Sequence, residues 1–128
     1  MSADASARSI GILWENAALA HLRHAGLEPL TRNFNCRFGE IDLVMRDKAS
    51  AGSIVFVEVR YRGERARGDG TASVGAAKRA KLVRVAALYL QSHPALAAEP
   101  CRFDVIGCSG TPDHPQFDWT RNAFEADY

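Results

Sequence analysis

The sequence of 128 residues has no long apolar run and few of the residues that commonly mark a metal or redox site. None of its apolar runs approaches the ~20 residues that a membrane span needs. Its first ten residues contain no apolar secretory core, so we predict a flexible segment over 1–9. Three widely spaced cysteines without a Cys-x-x-Cys pair indicate free thiols in a reducing compartment. We expect a cytoplasmic protein that has no membrane partner.

Several chemical motifs are also absent, which narrows the range of functions. The sequence has no glycine-rich phosphate loop and no dinucleotide fingerprint, so a nucleotide cofactor is not expected. It lacks His-Glu-x-x-His, and for His21 and His24 a packing or surface role is favoured over metal binding. Asp104 is expected to pair with Arg102 or another basic residue rather than to take part in catalysis.

Local charge is more informative than the net charge of +1. Basic residues predominate from residue 60 to residue 84, where only Glu64 and Asp69 oppose them. Such a stripe attracts phosphates even when the whole chain is near neutral, although a solvated loop and helix face explains it equally well. Its basic members are Arg60, Arg62, Arg65, Arg67, Lys78, Arg79, Lys81 and Arg84.

Hydrophobic periodicity predicts a single domain over 10–128 with the element order αβββαβ. Apolar residues at helical spacing, including Ile12, Leu13 and Leu22, indicate a first helix over 10–25. The order implies an α/β fold with a central mixed sheet flanked by helices. Strands are predicted over 27–36, 37–47, 54–62 and 101–108, a second helix from the N-cap Ser73 to Gln91, and an added edge strand over 117–124.

A glutamate lies inside the most apolar of these strands, IVFVEVRYR at 54–62. A buried charge is unfavourable by several kcal/mol unless it is paired or holds a cation. Strand alternation puts Glu58 and Arg60 on one face, and a turn at 48–53 places Asp42 on the neighbouring strand near the level of Glu58. On that neighbouring strand, alternation puts Glu40, Asp42 and Val44 on one face and Ile41, Leu43 and Met45 on the other.

Two neighbouring carboxylates have a chemical use that a single one lacks. They repel each other and raise each other's pKa, and a divalent cation removes that conflict. Mg²⁺ binds one or two carboxylates together with waters and phosphate oxygens, and it can activate a water molecule. A buried ion pair between Glu58 and Arg60 that only holds the sheet together explains the same residues equally well.

Four segments in order, GEIDLV, VFVEVRYR, SVGAAKRAKL and RFDVIG, resemble the YraN-like family of small bacterial proteins over residues 11–124. The resemblance implies the restriction-endonuclease-like fold of restriction enzymes and archaeal Holliday-junction resolvases. The pattern of that superfamily is an Asp followed by Glu-x-Lys on the next strand, and Asp42 and Glu58 match its acids. Glu15 stands where a further helix acid would fall. The resemblance implies Asp42, Glu58 and Arg60 as catalytic residues, with Mg²⁺ or Mn²⁺ held by Glu15, Asp42 and Glu58.

The sequence departs from that pattern at Arg60, where the superfamily pattern has lysine. A buried lysine can lose its proton and help to deprotonate water, whereas arginine stays charged and cannot act as a base. Arginine can still hold a phosphate. Lys78 and Lys81, on the predicted second helix, could supply an ammonium group from another position.

These observations support two main hypotheses of different classes. The first is a metal-dependent nuclease that hydrolyses phosphodiester bonds in structured or branched nucleic acid, with DNA favoured. The second is a catalytically weak or inactive nucleic-acid-binding module of the same fold, and a structural adaptor for an acidic protein is a weaker third. The resemblance to junction-cutting enzymes also allows a homodimer. The predicted nucleic-acid contacts are Arg62, Arg65, Arg67, Lys78 and Lys81.

Overall fold

Two main helices and five strands make up the part of the chain that this computed structural model describes, residues 3–61 and 74–125, with side chains from residue 9 onward. The predicted αβββαβ order is confirmed, and the predicted C-terminal edge strand is present. In chain order the elements are α1 (Ala3–His24), β1 (Leu27–Cys36), β2 (Gly39–Asp47), β3 (Ser53–Tyr61), α2 (Ala76–Ser92), a short 3₁₀ helix (Pro94–Leu96), β4 (Cys101–Thr111) and β5 (His114–Phe124).

The five strands form one mixed sheet in the spatial order β1-β2-β3-β4-β5. β1, β2 and β3 pair antiparallel, as the short turns between them require. β3 and β4 pair parallel, because helix α2 carries the chain back to the starting edge between them. β5 returns antiparallel along β4. The predicted mixed sheet flanked by helices is therefore confirmed.

Helix α1 covers one face of the sheet with a stripe of residues at i, i+4 spacing. Trp14, Ala18 and Leu22 are buried in this stripe. Ile12 and Leu13, which the sequence predicted for the apolar face, are 52% and 50% exposed because they lie off the stripe. The buried strand residues under α1 are Leu27, Leu43, Met45, Val55, Val57, Ile106 and Cys108.

Helix α1 also begins earlier than the sequence predicted, at Ala3 instead of residue 10. Three alanines in this segment, Ala3, Ala5 and Ala7, have the highest intrinsic helix propensity of any residue type, which favours the extension. Among the described residues, no helix is long and apolar enough to cross a membrane.

Helix α2 covers the opposite face, where Leu82, Val85, Ala86 and Tyr89 are buried. The Tyr89 hydroxyl lies 2.8 Å from the Thr31 hydroxyl, which links α2 to β1. The helix begins at Ala76 with Gly75 as its N-cap and without a side-chain cap hydrogen bond. The predicted cap, Ser73, lies outside the described residues.

Strand β2 changes its facing near its outer end. Leu43 and Met45 pack under α1 and Val44 packs under α2, as alternation predicts. Ile41 also packs on the α2 side, so its predicted facing was wrong. The β1 residue across from this point, Asn33, has a positive φ of 54°. A left-handed residue interrupts strand alternation, so the outer part of the β1–β2 hairpin turns towards α2.

Candidate active site

Strands β2 and β3 separate at the position of the two predicted acids. Their paired register ends at Leu43 and Val57. Beyond it, β2 continues along β1 as far as Gly39, and β3 continues along β4 as far as Tyr61. Continuing the register by one step puts Asp42 opposite Glu58. We call this point of separation between β2 and β3 the fork. Backbone N–H and C=O groups at the fork have no partner on the neighbouring strand, and side chains can hydrogen-bond to them.

The Asp42 carboxylate takes one of these backbone groups. The Val59 backbone N–H donates a hydrogen bond of 2.8 Å to Asp42 Oδ2. Asp42 thereby occupies the space between the two strands, with Glu58 on the strand across from it. Glu58 is only 8% exposed and Asp42 is half-buried, so the pair lies at the rim of the sheet's interior.

A cleft of about 590 Å³ opens above the fork, between the sheet and α2. It contains both acids of the predicted pair, together with lysines of the helix. Its polar lining includes Glu40, Asp42, Glu58, Lys78 and Lys81, and its apolar lining includes Phe38, Val59 and Leu82. The cleft therefore brings acidic and basic groups from three separate elements together.

Burial gives Asp42 an unusual ionisation. Desolvation, together with the negative charge of Glu58, raises the pKa of Asp42 from 3.8 to about 7. The hydrogen bond from Val59 lowers this pKa, but the charges of Glu40 and Glu15 add to the increase. The site therefore holds two acids in a space that disfavours two full negative charges.

A lysine from α2 neutralises part of this charge. The Lys78 ammonium lies 2.6 Å from Glu58 Oε2. Lys78 is one turn before Lys81 on the helix, and both line the cleft. The sequence suggested these lysines as alternative sources of an ammonium group, but it could not show which of them reaches Glu58.

Arg60 lies two residues beyond Glu58 on β3 and is half-buried. Alternation on β3 is as predicted up to the cleft, since Ile54 and Phe56 pack under α2 and Val55 and Val57 pack under α1. The remaining predicted nucleic-acid contacts, Arg62, Arg65 and Arg67, lie outside the described residues.

Glu15 has partners of its own near the site. Its Oε1 accepts hydrogen bonds from Arg32 Nη2 at 2.8 Å and from Asn33 Nδ2 at 3.1 Å. These contacts attach α1 to β1 at the point where Asn33 adopts its left-handed conformation. Glu15 is close enough to raise the pKa of Asp42 by its charge. Its role as a metal ligand stays a prediction.

A metal ion at this site would have the Asp42–Glu58 pair as its protein ligands. Within the described residues, no group of three or more His, Cys, Asp or Glu side chains is arranged to hold a metal ion. Two carboxylates are nevertheless a donor set that suits Mg²⁺ or Mn²⁺, because water and phosphate oxygens complete the coordination. The residues present therefore fit such an ion as a pair of ligands.

Three other polar residues that the sequence offered as candidates, Asp104, His21 and Cys108, lie in environments that favour a structural role. Asp104 is 1% exposed and accepts hydrogen bonds from Arg102 and Trp119, as its predicted structural role requires. His21 stacks on Phe117, with ring centroids 4.4 Å apart. Burial raises the pKa of the Cys108 thiol to about 11, which makes it a poor nucleophile.

Sequence reasoning missed the aromatic part of the cleft. Phe38, in the turn between β1 and β2, lines the cleft and lies near two arginine side chains, Arg37 and Arg84. The local signal was an aromatic residue between Arg37 and the turn residue Gly39, whose φ is 139°. Phe38 is half-buried, and an aromatic side chain beside arginines is a feature of binding surfaces.

Curated relatives match nearly the whole chain. A UPF0102 protein from Xanthomonas oryzae pv. oryzae is 53% identical over 127 residues, which cover 99% of this chain and 98% of the relative. A UPF0102 protein from Xylella fastidiosa is 49% identical over 94% of this chain and 95% of its own. One from Stutzerimonas stutzeri is 45% identical over 93% of this chain and 97% of its own.

Similarity to solved structures is weak. A chain in the structure of an EndoMS-dsDNA2 complex is 21% identical and covers 61% of this chain and 26% of its own length, with a TM-score of 0.30. A TM-score this low supports no argument about fold or function.

A family model supports the same assignment as the curated relatives. The model described as "Uncharacterised protein family UPF0102" matches residues 14–108, which include the fork, both acids and helix α2. The predicted resemblance to the YraN-like family is thereby confirmed. The chain belongs to the UPF0102 family.

Proposed function

We propose that this protein is a metal-dependent nuclease that hydrolyses phosphodiester bonds in structured or branched nucleic acid, with DNA as the favoured substrate. The observation that carries the proposal is the placement of Asp42 and Glu58 at the fork of β2 and β3, inside a cleft that also contains Lys78 and Lys81. Acids that bind a divalent ion and cations that hold phosphate are the two components this hydrolysis requires.

The raised pKa of Asp42 supports a cation between the two acids. Burial and mutual repulsion disfavour the ionised forms of the two carboxyl groups. A divalent ion held by both would stabilise those ionised forms. Asp42 and Glu58 would hold Mg²⁺ or Mn²⁺, which would supply an activated water and offset the negative charge of the phosphate. Glu15 remains the proposed further acid, with Oε1 engaged by Arg32 and Asn33.

The protein groups around the acids set their orientation. The Val59 N–H holds the Asp42 carboxylate in the plane between the strands. The Lys78 ammonium holds Glu58 from the helix side and is close enough to contact a phosphate oxygen in the same cleft. Lys78 therefore places a cation next to Glu58. The residue at the lysine position of the Glu-x-Lys pattern, Arg60, lies on β3 instead. Arg60 stays charged and stabilises negative charge without accepting a proton.

A catalytically weak or inactive nucleic-acid-binding module is the second candidate. The observation that favours it is Arg60 itself, because arginine cannot deprotonate an attacking water. The Lys78–Glu58 ion pair favours it too, since an ammonium group already neutralises one of the two acids. In this case the cleft binds the phosphate backbone without cutting it.

A cleavage assay on branched, flapped and single-stranded DNA with Mn²⁺ tests the nuclease proposal. Asp42→Ala and Glu58→Ala should each reduce cleavage by roughly a hundredfold or more, because each removes a proposed metal ligand. Arg60→Lys should increase the rate if arginine has weakened the reaction.

The control is Arg23→Gln, which removes an exposed charge of α1 outside the cleft and should leave cleavage unchanged. Cleavage that persists in both alanine variants would indicate a contaminating nuclease and refute the proposal. Salt-dependent DNA binding that ignores both Mn²⁺ and Asp42→Ala, in the absence of cleavage, would favour the binding module.

A further inference from the structure

Two arginine side chains meet on one aromatic ring beside the cleft. The guanidinium carbon of Arg37 lies 5.0 Å from the centroid of the Phe38 ring, and that of Arg84 on α2 lies 5.5 Å from it. Phe38 and Lys81 also line the cleft that holds the two acids. These four residues, Arg37, Phe38, Lys81 and Arg84, form the basic rim.

We propose that the basic rim binds the phosphodiester backbone of the nucleic-acid strand that enters the cleft, which deepens the proposed nuclease function and rests on its nucleic-acid substrate. Arg37, Lys81 and Arg84 are all exposed, so their charges are available to a ligand. A guanidinium group binds phosphate oxygens through paired hydrogen bonds, and an ammonium binds them as a point charge. Three such groups on one rim form a site for a polyanion.

Phe38 restricts the positions of the two arginine side chains in the basic rim. A guanidinium that lies over an aromatic ring is held by the ring's quadrupole and is more weakly hydrated than an ammonium. Holding Arg37 and Arg84 in this way reduces the side-chain freedom that phosphate binding would otherwise remove. Phe38 is therefore a positioning residue for the two arginines.

The same contacts indicate backbone binding and not base recognition. Base stacking on an aromatic side chain requires an open ring face. The Phe38 ring already engages two guanidinium groups and is half-buried. Contacts to phosphates carry no sequence information directly, so the rim should hold strands of any sequence in register with the cleft.

The basic rim lies close enough to the two acids for one nucleic-acid strand to contact both. Gly39, next to Phe38, and Asp42 are three residues apart on strand β2. An extended strand rises about 3.3 Å per residue, so this spacing is roughly 10 Å. One nucleic-acid strand could therefore contact the rim and the fork at the same time.

Fluorescence anisotropy with the full-length protein tests the rim, using a fluorescein-labelled DNA duplex with a single-stranded arm in EDTA over a salt series. Arg37→Gln and Arg84→Gln should each weaken binding about three- to tenfold and reduce the slope of log affinity against log salt by about 0.7 to 0.9. Phe38→Leu should weaken binding while all charges remain. Arg23→Gln, on the opposite helix, should bind like the wild type.

The proposal is overturned if the rim variants, confirmed as folded by circular dichroism, bind as tightly as Arg23→Gln. It is also overturned if the wild type does not bind at low salt, and an unaffected Phe38→Leu would remove the positioning role of the ring. Because binding is measured in EDTA, its outcome is independent of cleavage. A protein that binds through the rim but never cuts would refute the nuclease proposal alone.

Discussion

The number of hydrogen-bond donors around a buried carboxylate decides what that carboxylate can do. Asp104 accepts hydrogen bonds from Arg102 and Trp119, so its charge is fully used in holding the structure together. Asp42 accepts one backbone hydrogen bond, from Val59, and its pKa is raised to about 7. Asp42 is therefore the acid that gains most from an external cation or a proton.

The raised pKa of Asp42 should make stability depend on pH. Between about pH 4 and pH 7 the folded state holds a proton on Asp42 that the unfolded state has released, so stability decreases as pH rises through this window. Asp42→Asn should therefore stabilise the metal-free protein at pH 8, on the order of 2 to 4 kcal/mol, and have little effect near pH 4.

Urea unfolding of both proteins in EDTA, at a series of pH values, measures this difference. Asp113→Asn, which changes an exposed carboxylate in a turn, is the matched control and should show no comparable trend. A stability difference between Asp42→Asn and wild type that does not change with pH would mean that Asp42 titrates normally in the folded protein.

The sheet uses its buried acids in different ways at the fork and near its β5 edge. Near that edge, β5 is bulged between its pairings with Phe103 and Val105 of β4. The Asn122 N–H in this bulge donates to Asp104 Oδ1, and Arg102 bridges Asp104 to Asp47 of β2, each at 2.9 Å. This network joins three strands at a place where regular ladder bonds are interrupted.

Breaking this network should destabilise the fold without a direct effect on the cleft. Asp104→Ala should reduce the free energy of unfolding by about 3 to 5 kcal/mol, because it leaves the Trp119 and Asn122 N–H groups without their acceptor and removes one of the two acids that pair with Arg102. Asp113→Ala should change it by less than about 0.5 kcal/mol. Urea unfolding measures both changes. If Asp104→Ala is as stable as Asp113→Ala, the network makes no net contribution to the free energy of unfolding.

The whole molecule places the two acids and the α2 lysines where three elements meet. Helix α1 and helix α2 cover opposite faces of the sheet, and the fork opens into the cleft on the α2 face. An ion at the fork would connect β2 to β3 where their own pairing stops. Metal binding should therefore increase the free energy of unfolding of the whole domain.

Thermal unfolding with and without Mn²⁺ tests this connection. Wild type should gain about 2.7 kcal/mol at a Mn²⁺ concentration 100 times the dissociation constant, and less at pH 6 than at pH 8 because binding releases the Asp42 proton. Asp42→Asn should lose this gain. Lys78→Gln should keep or increase it, since it removes the cation that competes for Glu58.

Equal stabilisation of wild type and Asp42→Asn by Mn²⁺ would place any metal site elsewhere in the protein. Light scattering of the same samples would test the predicted homodimer, which stays a prediction, as does the cytoplasmic location. A mass of about twice 14.0 kDa is expected for the dimer.

Most of the strands and the position of the acid pair follow from the sequence by itself. Alternation of apolar and polar residues is a local property, so it indicates β3, observed at Ser53–Tyr61, and places Glu58 on the same face as Ile54 and Phe56. The motifs around Asp42 and Glu58 were likewise sufficient to indicate the family. The exception on β2 is Ile41, whose facing changed because Asn33 on the partner strand is left-handed.

Only the tertiary structure decided which cations serve those acids. Lys78 is twenty residues from Glu58 in the chain, and their 2.6 Å contact depends on how α2 lies across the sheet. The pairing of Arg37 and Arg84 with the Phe38 ring depends on the same packing. Periodicity reports the face on which a side chain lies. Distances between side chains of different elements are set by the packing of those elements, which no local pattern encodes.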